Sequence, residues 1–450
     1  MSLMRSVSGV RGIIGKTFTP EIVVKYVSIF TKILKGKKIA IGYDGRNSGK
    51  SFIEIVKSTL LLCGSEVFDI GISPTPTILF AVKNFSLDGG ISLTASHNPI
   101  EWNGLKFISN RGMFLNKDEI EFFFNEVEKN NSYYSSRDNL GKIIDAKYFL
   151  EEHLKKILSL SFLEIEKIKV KKYKIVVDCI NSSGNLIIPK LLQELGCEVI
   201  QINSQIGENF SHSPEPVPEN LFELSQVVKK EKANIGFAID PDSDRVVIIM
   251  ENGFPFSEEY TVVACAKTVL RKVSPQQNVV VNLSTTQAIE DISNEFNANV
   301  FRTPVGEINV SQKMKEINSI VGGEGSGGII LPQLHFGRDG SLGVALFLQL
   351  LTEENCSVSE LKEKFPKYFM KKAKFEIGNL NFENVKQKIL EIFKNNSKIN
   401  TEDGIRISFG TKWIHIRKSN TEPILRIIAE SSFEDETFEL IKQFQKIIFS

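Results

Sequence analysis

The 450-residue chain has only five cysteines: Cys63, Cys179, Cys197, Cys265 and Cys356. Their number is odd, no Cys-x-x-Cys pair occurs, and most lie in apolar strand- or helix-like runs. That argues against a disulfide framework or a cysteine zinc site and for reduced, buried thiols in a cytoplasmic protein. An excess of one charge is also lacking, since 55 Lys and Arg stand against 54 Asp and Glu. Broad nucleic-acid or membrane-surface binding draws on a basic excess, so neither partner is expected, although a local basic site fits the balance. No apolar run approaches the roughly 18 residues of a membrane helix. The N-terminus has no basic-then-apolar secretory pattern, and Met1-Ser2-Leu3-Met4 reads as a short non-native addition ahead of a native start at Met4. What is present is a hydrophobic fraction of 42% and a charged fraction of 24%. These are the proportions of a soluble chain with a large core, and its length calls for several domains.

The chain carries a weak internal repeat. Three β-branched runs, Lys38–Tyr43, Lys174–Cys179 and Asn278–Leu283, read as buried parallel strands. Each leads through a polar turn and an amphipathic helix to a second strand, at Gly64–Phe68, Gly196–Ile200 and Asn297–Phe301. Each unit then reaches a third strand ending in a distinctive loop: Thr94–Pro99, Asp240–Arg245 or Gly323–Gly328. The expected fold is α/β: three similar domains with mixed, largely parallel sheets. A smaller α+β domain follows, with strands at Gly404–Ser408, Trp413–Ile416 and Ile424–Ala429. Boundaries are expected at 1–142, 143–252, 253–366 and 367–450. Ligands of such sheets gather beyond the carboxyl ends of the strands, so the three loops are expected to face one cleft.

Asp240, Asp242 and Asp244 alternate directly after the apolar run Ile235–Ile239. Carboxylates so close repel unless a cation neutralises them, and oxygen ligands suit Mg²⁺ or Ca²⁺. Arg245 and a strand follow where an EF-hand needs a glycine and a later glutamate, so that motif is excluded. A solvated acidic turn is the competing reading. In the first loop Ser96 precedes His97, and Lys106 follows a short turn. A Ser-His dipeptide alone does not make a nucleophile, but the lysine suits phosphate neutralisation or proton transfer. The third loop sets Glu324 and Ser326 among glycines, which suits sugar hydroxyls and not phosphate; a flexible turn is the bland alternative. Arg417, Ser419, Asn420 and Thr421 read as a phosphate cradle or an ordinary polar turn. Ser8–Gly12 and Asp44–Gly49 each place an arginine between glycines, and either suits phosphate binding.

Taken in this order, the segments resemble the α-D-phosphohexomutase family over almost the whole chain. Thr94–Pro99 is similar to its phosphoserine loop, Asp240–Arg245 to its metal loop, Gly323–Gly328 to its sugar loop and Arg417–Pro423 to its phosphate loop. Weaker matches lie at Val177–Gly184, Pro214–Leu221 and Thr303–Gly306. The resemblance implies four domains around a deep cleft and exchange of a phosphoryl group between C1 and C6 of a hexose through a 1,6-bisphosphate, which also serves as activator. It implies that Ser96 carries the phosphoryl group, with Mg²⁺ on Asp240, Asp242, Asp244 and the Ser96 phosphate. Arg11 and Arg245 would flank the phosphoserine, and Lys106 with His97 would handle the proton. Glu324, Ser326, Thr303 and Gly306 would hold the sugar, and Arg417, Ser419, Asn420 and Thr421 the distal phosphate.

Two positions depart from the glucose- and mannose-type pattern. Gly328 stands where those members often have His, and Thr303–Glu307 contains no His. This looks closer to archaeal-type phosphoglucosamine mutases, so glucosamine phosphate is the expected substrate, with phosphoglucomutase or phosphomannomutase activity as the near alternative. A metal-dependent sugar phosphatase and an inactive phosphosugar-binding protein are the readings from other classes. Several helical faces allow a homodimer without specifying one.

Overall fold

A computed structural model describes residues 3–34, 36–378, 381–393, 398–418 and 424–449. Ser419, Asn420 and Thr421 lie outside the described residues. The three repeats share one topology. In the first, Lys38–Tyr43 lies between Glu66–Ile72 and Gly89–Leu93, all parallel, and Trp102–Ser109 closes the unit antiparallel. In the second, Lys174–Asp178 lies between Glu198–Ile202 and Ile235–Ile239, and Val246–Met250 is antiparallel. The third repeats this with Asn278–Asn282 between Asn299–Thr303 and Val321–Glu324, closed by Gly328–Ile330. The strands are valine- and isoleucine-rich because both faces are covered: Ile235–Ile239 and Val246–Met250 are buried at every position. The second strand of each unit begins two residues later than its glycine or asparagine suggested, since those residues make the preceding turn.

The first sheet is larger than its repeat. Gly9–Ile13 pairs with Trp102–Ser109, and Lys142–Asp145 pairs in parallel with Glu66–Ile72. That last strand crosses the expected boundary at 142, because Ile143 and Ile144 extend the first sheet before the chain turns into helix Tyr148–Leu158. The second and third units share one hydrophobic cluster. At its centre is helix Gly340–Glu354, buried from Gly340 to Thr352. An apolar stretch without a polar face needs protein on all sides, which locks the two units together. The C-terminal unit is a five-stranded antiparallel sheet covered by helices Phe382–Phe393 and Glu434–Phe449. Its own core includes Ile405, Ile414, Ile427 and Phe444.

In each α/β unit the chemistry-bearing loop joins the third strand to the antiparallel fourth. This connection repeats at one end of three similar sheets, so the three loops converge.

Candidate active site

The loops meet at a cavity of about 380 Å³ lined from all four units, within the size range of small-molecule sites, roughly 300–1,000 Å³. The first unit contributes Ser8, Arg11, Ser96, His97, Asn98 and Lys106, and the second Glu215 and Arg245. The third contributes Asn282, Ser284, Val305, Gly306, Glu307, Glu324, Gly325, Ser326 and Arg338, and the fourth Lys372, Arg417 and Arg426. Cations outnumber carboxylates in this lining, which suits a ligand with anionic groups at both ends.

Ser96 is buried with φ +51°, a left-handed conformation that a non-glycine residue holds only when its surroundings impose it. Here they do. The buried Arg46 donates through Nη1 to the carbonyls of Pro99 at 2.6 Å and Trp102 at 3.1 Å, and through Nη2 to those of Asn98 at 2.7 Å and Ser96. Its Nε donates to Asp44 Oδ2 at 3.0 Å, which also accepts from Thr94 Oγ1 at 2.7 Å, and Thr94 Oγ1 accepts from Ser96 N at 2.8 Å. Arg46 therefore grips the serine loop; its expected role as a phosphate ligand is corrected, because its donors are spent on that loop's carbonyls.

Across the joint between the first two units, Ser96 Oγ donates to Asp240 Oδ2 at 3.3 Å. Ligand oxygens of Asp240, Asp242 and Asp244 lie within 4.8 Å of one another, all buried. Asp242 Oδ2 accepts from Lys106 Nζ at 2.6 Å and from Thr75 Oγ1 at 2.7 Å. Asp244 Oδ2 accepts from Arg338 Nη2 at 2.6 Å. The remaining oxygens, Asp242 Oδ1 and Asp244 Oδ1, are buried without a hydrogen-bond partner. Two orphaned carboxylate oxygens beside a third carboxylate are hard donors fit for a divalent cation. Burial, then repulsion from Asp244 and Asp242, pushes Asp240 well above the ordinary carboxylate range. Burial also opposes charge on Asp244, but Arg338, Lys106 and Arg245 outweigh it and hold that group well below the usual range. The Asp240–Arg245 loop is buttressed by Ser182, whose Oγ donates to Pro241 O at 2.6 Å and accepts from Gly45 N at 2.8 Å. A Cβ at Gly45 would lie 2.4 Å from the Ser182 Cα, so this close approach needs glycine.

His97 Nδ1 lies 3.4 Å from Ser96 Oγ. Burial, then Arg245 and Arg11, hold the imidazole well below its ordinary value and therefore neutral. Burial opposes charge on Lys106, but Asp242 and Asp244 overcome it and raise its pKa. Arg11 Nη1 donates to Asn98 Oδ1 at 3.0 Å, on the same loop. Glu324 Oε1 accepts from Asn282 Nδ2 at 2.8 Å and Gly306 N at 2.9 Å, and Oε2 from Arg338 Nη1 at 2.7 Å. Ser326 and Gly306 line the cavity, but Thr303 is not among the lining residues and its Oγ1 donates to Pro304 O at 3.1 Å. Arg417 lines the cavity while paired through Nε with Asp403 Oδ2 at 3.0 Å.

Sequence patterns described as phosphoglucomutase/phosphomannomutase domains match in order: alpha/beta/alpha domain I over residues 3–134, domain II over 151–253 and domain III over 257–369, and the C-terminal domain over 353–445. A Sulfurisphaera tokodaii protein named phosphoglucosamine/phosphogalactosamine mutase is 35% identical over 100% of this chain and 99% of its own. The chain belongs to the phosphoglucomutase/phosphomannomutase family. A Thermococcus kodakarensis phosphoglucomutase/phosphomannomutase is likewise 35% identical, covering 96% of each chain. Among solved structures, a phosphoglucomutase/phosphomannomutase family protein of Burkholderia thailandensis superposes with a TM-score of 0.87 over 99% of this chain and 97% of that one, at 24% identity, a likeness of fold. The chain is thus a phosphohexomutase, an intramolecular phosphotransferase acting on a sugar phosphate. Among the described residues no helix is long and apolar enough to cross a membrane.

Several cavity residues of this phosphohexomutase escaped the sequence reading. Arg338 pairs with Asp244, Glu307 and Glu324, and Glu259 and Lys372 pair at 2.7 Å beside the Gly323–Gly328 loop. Arg338 had a signal: Gly337-Arg338-Asp339-Gly340 repeats the arginine-between-glycines pattern read at Arg11 and Arg46. Lys372 and Glu259 are far apart in sequence and meet only through docking of the last unit.

Proposed function

We propose that this phosphohexomutase interconverts glucosamine 1- and 6-phosphates through phospho-Ser96 and a hexose 1,6-bisphosphate that also primes the enzyme. The observation that carries the reading is Ser96 Oγ, 3.3 Å from Asp240 Oδ2, at the wall of a cation-lined cavity closed by four units. Asp240, Asp242 and Asp244 would hold Mg²⁺ with the Ser96 phosphate, and the cation supplies neutralisation of the charge that spreads over the transferring phosphoryl group. Arg11 and Arg245 flank that group, and Lys106 adds fixed positive charge beside it. The Ser96 Oγ–P bond breaks as a bond forms between phosphorus and the free sugar hydroxyl. Lys106 and His97 handle the hydroxyl proton. Glu324 and Ser326 orient the sugar with the Gly306 loop, while Arg417 holds the distal phosphate with Ser419, Asn420 and Thr421. After the bisphosphate turns over, the other phosphate returns to Ser96. The enclosing cavity keeps water from the phosphoserine.

Glucosamine is favoured by the absence of histidine at Gly328 and in Thr303–Glu307, and by the 35% identity to the Sulfurisphaera tokodaii protein named for amino sugars. Five unpaired cysteines suit a cytoplasmic location. A phosphorus NMR time course with Mg²⁺, catalytic glucose 1,6-bisphosphate and glucosamine, glucose or mannose 1-phosphate tests the reading. Conversion to the 6-phosphate fastest with glucosamine is expected. Faster conversion of glucose or mannose overturns the amino-sugar assignment, and release of inorganic phosphate indicates a phosphatase instead.

A further inference from the structure

Arg338 enters the cavity wall just before helix Gly340–Glu354. Its Nη2 donates to Asp244 Oδ2 at 2.6 Å, its Nη1 to Glu324 Oε2 at 2.7 Å and its Nε to Glu307 Oε2 at 3.1 Å. Asp244 belongs to the acidic cluster and Glu324 to the glycine-rich loop, so one buried cation touches both halves of the site. A guanidinium has five N–H donors in a rigid fork. Three are engaged here, and the side chain lines the cavity with the other two to offer. The stem matters as well. A Cβ added at Gly328 would lie 2.2 Å from Arg338 Cδ and 2.9 Å from Cγ, so only glycine leaves Arg338 its path. Glu307 fixes that path, because its Oε1 also accepts from Arg338 N at 3.1 Å.

We propose that Arg338 is a positioning and specificity residue that ties the sugar-binding carboxylate of Glu324 to Asp244 of the cation cluster, occupies the space a side chain at 328 would take, and donates its free N–H groups to the sugar phosphate. The ligand's identity rests on the mutase reading above; the tie between the two loops does not. The two ends respond in opposite directions when Arg338 is lost. Removing a positive charge beside Asp244 tightens divalent-cation binding, whereas Glu324 loses its orientation and the substrate loses donors.

The test is a Mn²⁺ titration by electron paramagnetic resonance on the metal-stripped enzyme, together with calorimetric binding of glucosamine 6-phosphate. Arg338→Met is expected to bind Mn²⁺ severalfold more tightly and the sugar phosphate about tenfold or more weakly, the worth of a charge-assisted hydrogen bond. Arg338→Lys keeps the charge without the fork, so Mn²⁺ affinity returns to the wild-type value while sugar binding stays weak. Gly328→Ala, which displaces the stem, is expected to weaken sugar binding alone. Weaker or unchanged Mn²⁺ binding in Arg338→Met, or recovery of sugar binding in Arg338→Lys, overturns the proposal. If the wild type converts no sugar phosphate, the mutase reading fails, while the Mn²⁺ comparison still judges Arg338.

Discussion

In the first loop Ser96 is the proposed reacting group and Arg46 its structural support. The Ser96 hydroxyl makes one long hydrogen bond, to Asp240, and one contact with His97. Ser96→Ala is therefore expected to abolish mutase turnover while shifting stability by about 1 kcal/mol or less, the net worth of an ordinary hydrogen bond; activity and a urea titration measure the two. Full activity in the variant would remove Ser96 from the mechanism. Arg46 is the reverse case. It never meets the substrate in this arrangement, yet Arg46→Met leaves Asp44 buried and uncompensated and frees four carbonyls of the loop. A stability loss of about 3–5 kcal/mol is expected, as for a buried pair broken on one side. In the folded fraction kcat should fall more than KM, since what is lost is the geometry of the donor serine. At the acidic cluster proposed to hold Mg²⁺, Asp242→Asn removes the charge that Lys106 and Thr75 orient. The Mg²⁺ concentration for half-maximal activity is expected to rise sharply, and an unchanged titration would take Asp242 out of the ligand set.

At the scale of elements, much was legible because periodicity and loop chemistry are local. Ile235–Ile239 and Val246–Met250 read as strands from their unbroken apolar runs, and both are strands. Asp240 to Asp244 announced an acidic cluster because the three carboxylates lie on one tight turn. What stayed hidden depends on partners far apart in sequence. The arginine of Asp44–Gly49 looked like a phosphate ligand, and only the fold turns it onto carbonyls some fifty residues away. The junction of His153, His335 and Asp339 was equally invisible. Asp339 caps helix Gly340–Glu354, its Oδ1 accepting from Ser341 N at 2.8 Å and Leu342 N at 3.1 Å, while its Oδ2 meets His153 Nε2 at 2.8 Å and His335 Nε2 at 3.0 Å. Gly337 N donates to His335 Nδ1 at 3.0 Å, so the proton of the neutral ring sits on Nε2 and points at the carboxylate. That tautomer makes the cluster a hydrogen-bonded junction and leaves His335 no lone pair for a metal there. Asp339→Asn retains the cap oxygen but turns an amide donor toward that N–H. A loss of about 2–3 kcal/mol in chemical denaturation is expected, more than a cap alone contributes.

For the whole molecule, the deciding joint is the one between the last unit and the third. His415 Nε2 donates to Asp403 O at 2.6 Å, so the neutral ring presents Nδ1 as an acceptor to Ser284 Oγ at 2.8 Å. Asp403 in turn accepts from Val305 N at 3.0 Å and pairs with Arg417. The same few groups thus dock the last unit and aim Arg417 into the cavity. Burial, with help from Arg417 and Arg406 and against Asp403, lowers the His415 imidazole to about 4. Its folded value is below its unfolded value, so the unfolded chain binds the extra proton between the two. The contribution of His415 to stability is therefore complete above about pH 6.5 and declines as the pH falls toward 4, each unit of depression being worth about 1.4 kcal/mol. Protonation puts a hydrogen on Nδ1 and forces Ser284 to reverse its bond, so the joint is expected to loosen before the cores do. Limited proteolysis between helix Val358–Glu363 and strand Phe369–Glu376 measures this. Cleavage in the wild type is expected to accelerate from pH 7 to pH 5. In His415→Gln it should be faster at pH 7 and nearly independent of pH over that range. Equal pH dependence in the two proteins would show that another group controls docking and would leave the aiming of Arg417 to Asp403 alone.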